Sequence, residues 1–526
     1  MSSSGSVLGI EGTAWNLSAS VFGTDRKTLY SHPYQPLTGG IHPREAAQHH
    51  ATEMSNVILQ ALKGHTDDIT AVAFSQGPGL GPCLRIVATA ARSLALSLQV
   101  PLIGVNHCVA HIEIGRYATG FDDPIVLYAS GANTQVLGYL YGRYRIFGET
   151  LDVGLGNALD KFARSKELPH PGGPLIEKYA KTGSYFPLPY TVKGMDLAFS
   201  GLLSAAKDAQ ASLEDVCFSL QETAFAMCVE VTERALAQTG KDEMILVGGV
   251  GANRRLQQML MSMCEDRGAR FGVPPPEYLG DNGAMIAYTG RLMLEQGDTT
   301  PIDESSVNPS FRADQVPVTW RDAGDMNRYL SVSSFPGRAD RQGAEAIIQI
   351  GTHVLKQRIK KQYRDVNLDQ RLITERTRAE ARLISYARRA GVPTPVIYDI
   401  TSDTITMEMI SGRLLKEVLT PEHLRVAGIM VGTLHNAGII HGDLTTCNMI
   451  IRDSQCVLID FGLATTSSDI EARGVDIHVL FQILKSTSSD ADLLKSAFCE
   501  GYQSVFSEAP LVLAREHEIE LRGRYL

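Results

Sequence analysis

One pair of short runs constrains this chain more than any other. The first is His441-Gly-Asp-Leu-Thr-Thr-Cys-Asn448; the second, twelve residues beyond Asn448, is Asp460-Phe-Gly462 at the end of the apolar run Val457-Leu-Ile-Asp460. The order H-x-D-L-x-x-x-N followed by D-F-G builds a phosphoryl-transfer site. Its chemistry explains the residue types. Asp443 is placed to accept the proton of an acceptor hydroxyl, while Asn448 and Asp460 hold magnesium against the phosphates of ATP. Whatever this region folds into must bring residues 443, 448 and 460 to one point.

The same chemistry asks for a lysine on the α/β-phosphates and a helical glutamate to hold it. Val354-Leu-Lys356 closes a strand-like run, with Lys360 and Lys361 as rivals, and Glu380 lies in the helical run Arg376-Thr-Arg-Ala-Glu380. Gly343, Ala344, Glu345 and Ala346 stand where a phosphate-covering loop belongs, without G-x-G-x-x-G. Together these features predict a small two-lobed, protein-kinase-like α+β domain over 341–526. Two departures matter. Gly442 stands where regulated kinases carry arginine, and no A-P-E follows in the 66 residues after Asp460. A truncated second lobe without an activation-loop switch is expected. Asp476, in a helical stretch, either braces the catalytic loop or sits exposed.

The first 312 residues use a different vocabulary. Val7–Gly12 and Leu17–Phe22 read as strands, Pro43–Leu62 as a helix with His49 and His50 in its middle, and Ile69–Ser75 as a buried strand before Gly77-Pro-Gly-Leu-Gly81. Strand–turn–strand recurs about 120 residues later at Ile125–Ala129, Ser130–Thr134 and Gln135–Leu140. This predicts a duplicated α/β core. A third glycine turn, Gly248-Gly-Val-Gly-Ala-Asn253, feeds a helix from Arg254, a place that suits a phosphate. Residues 313–340 hold prolines, glycines and a serine run without sustained periodicity and read as a junction. The domain boundaries expected are 1–323, a linker 324–340, and 341–526.

His107-Cys-Val-Ala-His111 puts two imidazoles on one helix face, a metal-ligand spacing. Two helix histidines making ordinary hydrogen bonds would give the same pattern. A zinc-protease reading fits worse still, since Cys108 stands where H-E-x-x-H needs glutamate. Asp281, at the start of an apolar helix, and Tyr128, at the end of a strand, would complete a mixed nitrogen/oxygen site for iron or zinc.

Bulk properties narrow the partners. The net charge of −9 argues against a generic nucleic-acid binder. Locally, Lys356 to Arg389 holds eleven Lys/Arg against four Asp/Glu, either a solvated face or a phosphate-contacting one. The eight cysteines form no CxxC pair, as expected in a reducing compartment. No signal peptide and no membrane span are read, so a cytoplasmic protein is expected.

Two family resemblances follow from ordered motifs. Gly9-Ile-Glu-Gly-Thr13, Gln76–Gly81, His107/His111, Tyr128–Gln135, Asp152–Asp160, Gly172-Gly173-Pro174, Gly248–Asn253 and Asp281-Asn-Gly resemble the universal tRNA threonylcarbamoyladenosine transferases, the TsaD-like catalytic subunit of KEOPS. Lys356–Arg364, Leu368–Leu372, Arg376–Glu380 and His441–Asn448 resemble the small atypical serine/threonine kinase of that complex, with Cys447 in place of the usual serine. The resemblance implies a fusion of archaeal type, with an actin–hexokinase-type ATPase fold in its first part. It implies metal ligation by His107, His111, Tyr128 and Asp281, with iron favoured. Threonylcarbamoyl-adenylate would lie on Tyr128, Ala129, Ser130, Gly131, Ala132, Asp160, Gly173, Glu177 and Asn253; Ala132 replaces the commoner glycine. ATP and magnesium would occupy the kinase site, and tRNA and the other KEOPS subunits would be partners, with no membrane. The competing readings are a conventional protein kinase with a nucleotide-binding regulatory region, and a scaffold whose two sites are relics.

Overall fold

The computed structural model of the chain describes residues 5–24, 27–36, 40–65, 68–140, 142–322, 340–342, 345–488 and 490–525. These fall into two units, one of Met1–Ser334 with Gln362–Asp365, the other of Phe335–Lys361 with Val366–Leu526.

The first unit contains the same five-stranded sheet twice. In one copy the strands lie in the order Tyr30–Pro33, Asn16–Phe22, Ser6–Glu11, Ile69–Gly77, Leu102–Asn106; in the other, Arg143–Glu149, Thr134–Leu140, Ile125–Ala129, Glu243–Val247, Arg270–Gly272. Each copy is an antiparallel meander of three strands extended by two parallel ones. The duplicated core expected from the strand–turn–strand recurrence is therefore present, with matching strand order.

Ser6–Glu11 is buried along its whole length, as a strand covered on both faces must be. Leu8 and Ile10 pack with Val57 and Val87 of the helices Pro43–Leu62 and Gly81–Leu98. Val7, one residue out of phase, packs on the opposite face with Ile103 and Ala287. Gly9 has to be glycine, because a Cβ there would meet the backbone of Gly283 and Ala287 in the helix Gly283–Glu295.

The junction reading of 313–340 is corrected over its first part. Ala313, Val316 and Val318 are buried against Cys108, Val109 and Tyr128, and Trp320 Nε1 donates to Glu113 Oε1 at 2.9 Å. Their periodicity is irregular because, apart from the single 3-10 turn Ala313–Gln315, they follow the surface of an existing core. Apart from Asp340, which opens the strand Asp340–Gln342, the expected linker 324–340 lies outside the described residues.

The second unit opens with a five-stranded antiparallel sheet in the order Asp340–Gln342, Ala346–Ile350, His353–Arg358, Thr404–Glu408, Ile397–Ile400. The 24-residue helix Val366–Arg389 accompanies it. The rest is a helical lobe of Pro421–Asn436, Ile470–Thr487, Ala491–Val505 and Ala509–Tyr525, carrying the hairpin Met449–Arg452/Gln455–Leu458. Among the described residues no helix is long and apolar enough to cross a membrane.

Candidate functional site

In the first unit, His107 opens the helix His107–Thr119 and His111 sits one turn on; they are 5% and 0% exposed. Asp281 lies just ahead of the helix Gly283–Glu295, whose N-cap Asn282 accepts from Met285 N. The two imidazoles meet at one oxygen: Asp281 Oδ1 is 3.5 Å from His107 Nε2 and 3.2 Å from His111 Nε2. The three ligand atoms lie within 4.8 Å of one another. The Tyr128 ring, 1% exposed, is centred 5.1 Å from that of His111.

Glu11, whose role the sequence leaves open, supports this centre from behind His107. It is 0% exposed, its Oε1 accepts from Thr13 N and Oγ1 at 2.8 and 2.7 Å, and its Oε2 lies 3.0 Å from His107 Nδ1. A carboxylate on the far nitrogen fixes the ring and its tautomer, as it does for metal-bound histidines. The only hint in the sequence was an acidic residue ending an otherwise apolar strand, in a glycine-threonine turn.

The electrostatics match. Burial opposes charge on Asp281, but His107 and His111 outweigh it and hold the carboxyl far below the usual range. Burial likewise disfavours a charged His107, and Glu11 and Asp281 reverse that. Burial alone dominates at Tyr128, raising its phenol, and at His111, lowering its imidazole. His111 Nδ1 is buried without a partner among the described residues. Two imidazoles and a carboxylate this close suit one divalent ion with mixed nitrogen and oxygen ligation, and the Tyr128 ring lies beside them.

His50 is a neighbour of this centre with a consequence of its own. It is 0% exposed, and its ring faces the Gly12 turn. Burial, then repulsion from His49, pushes its imidazole down to about 4 against attraction from Glu11. Between about 4 and 6.5 the unfolded chain binds this proton and the folded chain does not, so stability falls as pH drops through that window. The expected loss is about 3 kcal/mol at most, and His50→Gln should flatten the slope of denaturant stability against pH there.

The residues expected around an adenylate form a chain of contacts. The Ser130 and Gly131 carbonyls accept from Gly156 N and Asn157 N at 3.0 and 2.9 Å, and Ala132 is exposed beside them. Asp160, on the same helix Leu155–Ser165, accepts from Gly172 N at 2.7 Å; a Cβ on Gly173 would meet open space. Glu177 Oε1 accepts from Arg254 N at 3.0 Å. Asn253 caps the helix Arg254–Arg267, accepting from Arg255 N and Leu256 N, while its Nδ2 donates to Gln221. The first helix amides are thus engaged by Glu177 and by the Asn253 cap.

In the second unit, of the three rival lysines it is Lys356 that reaches both acidic partners. Its Nζ donates to Glu380 Oε1 at 2.7 Å and to Asp460 Oδ1 at 2.5 Å. Burial disfavours the ammonium, and Asp460 and Glu380 outweigh it, raising its pKa. Lys360 is exposed, and Lys361 is buried with its backbone N on Asp369. Asn448 Nδ2 holds Asp443 through both its carbonyl and its Oδ2, at 2.9 and 2.8 Å. Asp476 is 1% exposed and accepts from His441 N and Gly442 N, each at 2.8 Å, so it braces the catalytic loop. Gly343 and Ala344 lie outside the described residues. Ala346 opens a strand, and Glu345 pairs with Arg358 at 3.0 Å.

Comparison with known proteins completes the picture. Residues 25–288 match the family described as TsaD: tRNA N6-adenosine threonylcarbamoyltransferase, and residues 349–490 match the RIO domain of RIO1 type. The chain is 69% identical over 523 residues to the "Probable bifunctional tRNA threonylcarbamoyladenosine biosynthesis protein" of Methanospirillum hungatei, covering 99% of both chains. It is 67% identical to the protein of the same description from Methanoculleus marisnigri, covering 100% of this chain and 99% of that one. The counterpart in Methanocorpusculum labreanum is 66% identical, with 99% of each chain covered. The chain belongs to this family of bifunctional tRNA threonylcarbamoyladenosine biosynthesis proteins, joining a TsaD-type transferase to a RIO-type kinase.

Proposed function

We propose that the first part, residues 1–323, transfers the threonylcarbamoyl group of threonylcarbamoyl-adenylate to the adenosine beside the anticodon of tRNAs reading codons that begin with adenine. It does so in the cytoplasm, with the other KEOPS subunits, while the kinase of residues 341–526 supports the cycle with ATP and magnesium. The observation that carries this reading is the convergence of His107, His111 and Asp281 on one point, with Glu11 behind His107.

A divalent metal there, iron in preference to zinc, would be held by His107, His111, Tyr128 and Asp281 and would polarise the substrate. The adenylate is an activated mixed anhydride, so its carbonyl needs charge stabilisation more than a strong base. The N6 amine of adenosine attacks that carbonyl, the carbon–nitrogen bond forms, the bond to the phosphate oxygen breaks, and AMP leaves with a proton released. Tyr128–Ala132, Asp160, Gly173, Glu177 and Asn253 orient the adenylate. Asp443 accepts the hydroxyl proton in the kinase, Lys356 and Glu380 serve the phosphates, Asn448 and Asp460 serve magnesium, and 343–346 cover the nucleotide.

Supplying threonylcarbamoyl-adenylate and tRNA without ATP, in the presence of the partner subunits, tests the assignment. Modified tRNA should form, cease on chelation and return with ferrous iron. No modified tRNA with or without ATP, alongside ATP-dependent phosphorylation of a protein substrate, would instead favour the conventional-kinase reading.

The basic stretch adds a second measurable consequence. Lys356, Arg358, Lys361 and Arg364 are buried, and Arg371 is half-buried, so much of the local excess never reaches the surface. Arg378, Arg382 and Arg389 are exposed, and their spacing of four and seven puts them on one face of their helix. If this face meets tRNA phosphates, the triple change to glutamate should lower the slope of log K against log salt by about 2–3. An unchanged slope removes the helix from the tRNA interface.

A further inference from the structure

Arg358 lies inside the run Lys356–Arg364 with no role of its own assigned, and the structure places it at the heart of the phosphoryl-transfer site. It follows Lys356 by two residues on the strand His353–Arg358, so both side chains leave the same sheet face. They are 6% and 7% exposed, and Glu380, 1% exposed, is shared between them. Glu380 Oε1 takes Lys356 Nζ and Oε2 takes Arg358 Nη2, each at 2.7 Å. Arg358 Nη1 reaches Glu345 Oε2 at 3.0 Å, and Glu345 Oε1 lies 3.6 Å from Arg376 on the same helix as Glu380. A Cβ built on Gly462 would stand 3.7 Å from Arg358 Nη2 and 3.6 Å from Lys356 Nζ, so both cations border the D-F-G turn.

Charge balance gives Arg358 its task. Lys356, Arg358 and Arg376 face Glu345, Glu380 and Asp460, three cations against three carboxylates. A buried carboxylate that loses its only cation carries a heavy desolvation penalty. Lys356 already divides itself between Glu380 and Asp460, and phosphates would draw it further. With Arg358 in place Glu380 stays neutralised and its rotamer stays fixed when Lys356 turns away.

The catalytic loop is organised in the same spirit. Gly442 has φ +78°, and a Cβ there would collide with the Leu463 carbonyl. The position is therefore closed to an arginine that would read a phosphorylated segment, and Asp476 ties the loop down instead.

We propose that Arg358 is a positioning residue that locks Glu380 and the helix Val366–Arg389 in the catalytic arrangement, independently of nucleotide and of any phosphorylated segment. The inference deepens the kinase reading and rests on it for its catalytic part. The test uses the full chain and two readouts: hydrogen exchange along residues 373–384 with and without Mg-ATP, and KM and kcat for ATP turnover. Wild-type exchange should be the same with and without nucleotide. Arg358→Ala should speed exchange there and raise KM for ATP, each about tenfold, with a smaller change in kcat. Arg358→Lys, which can still reach Glu380, should recover most of both. Glu345→Gln should shift KM in the same direction by less.

Wild-type exchange and KM in Arg358→Ala would overturn the proposal, as would a lowered melting temperature with KM unchanged in Glu345→Gln. Should Arg358→Ala fail to fold, a KM shift in Glu345→Gln supports the lock and its absence refutes it. A wild-type chain that does not bind Mg-ATP would defeat the kinase reading, and exchange in the variants would then decide on the lock alone.

Discussion

Asp281→Ala is expected to lower threonylcarbamoyl transfer by about 100-fold or more. Its Oδ1 is the point at which His107 Nε2 and His111 Nε2 meet, and it supplies the negative charge of the cluster. Without it two buried imidazoles face each other with no anion between them. Metal content of the purified protein should fall in parallel, which separates loss of the ion from loss of substrate binding. Glu11→Gln should behave differently. Its side chain touches His107 Nδ1 from behind, so the ligands remain and only the orientation and basicity of the ring suffer. A fall in metal affinity of about 10–100-fold is expected, with activity recovered at high metal concentration. A wild-type rate and full metal content in Asp281→Ala would remove the metal assignment.

The second large effect is at the phosphoryl-transfer site. Asp443→Ala should reduce ATP turnover by about 10²–10⁴-fold without altering the melting temperature. Asn448, which holds it, keeps its place on the hairpin through its own backbone, since its carbonyl accepts from Ile459 N at 2.9 Å. Transfer from supplied threonylcarbamoyl-adenylate should persist in a single turnover. Asp476→Ala makes the contrast. It leaves the buried His441 amide and His435 Nε2, and the half-buried Gly442 amide, without their acceptor, at about 1–3 kcal/mol for each fully buried group. That variant should lose both turnover and stability. Full ATP turnover in Asp443→Ala would show that the H-x-D-L-x-x-x-N run is not the catalytic loop.

Much of this was legible along the chain because it depends on local spacing. An imidazole pair four residues apart on a helix, an Asp and an Asn five apart in a loop, and apolar runs of strand length keep their geometry wherever the fold puts them. The doubled strand–turn–strand pattern was enough to expect the doubled sheet, and its matching strand order was found.

Tertiary structure decided what depends on distant partners. Lys356, Lys360 and Lys361 are equivalent in sequence; only folding sets Glu380 and Asp460 against the first of them. Glu11 is 96 residues from His107, and a lone acidic residue in a buried strand does not announce which side chain it will hold. Asp476 had two readings until burial and two backbone amides chose one. Residues 313–322 looked like linker because, beyond the short 3-10 turn Ala313–Gln315, their apolar spacing fits a pre-formed surface rather than a regular helix or strand. Arg358 was one cation among eleven in a basic run, and burial between two glutamates made it part of the site. The physical reason is common to all of them: spacing along the chain fixes which atoms one element can present, whereas charge pairing and burial are set by the elements that close over it.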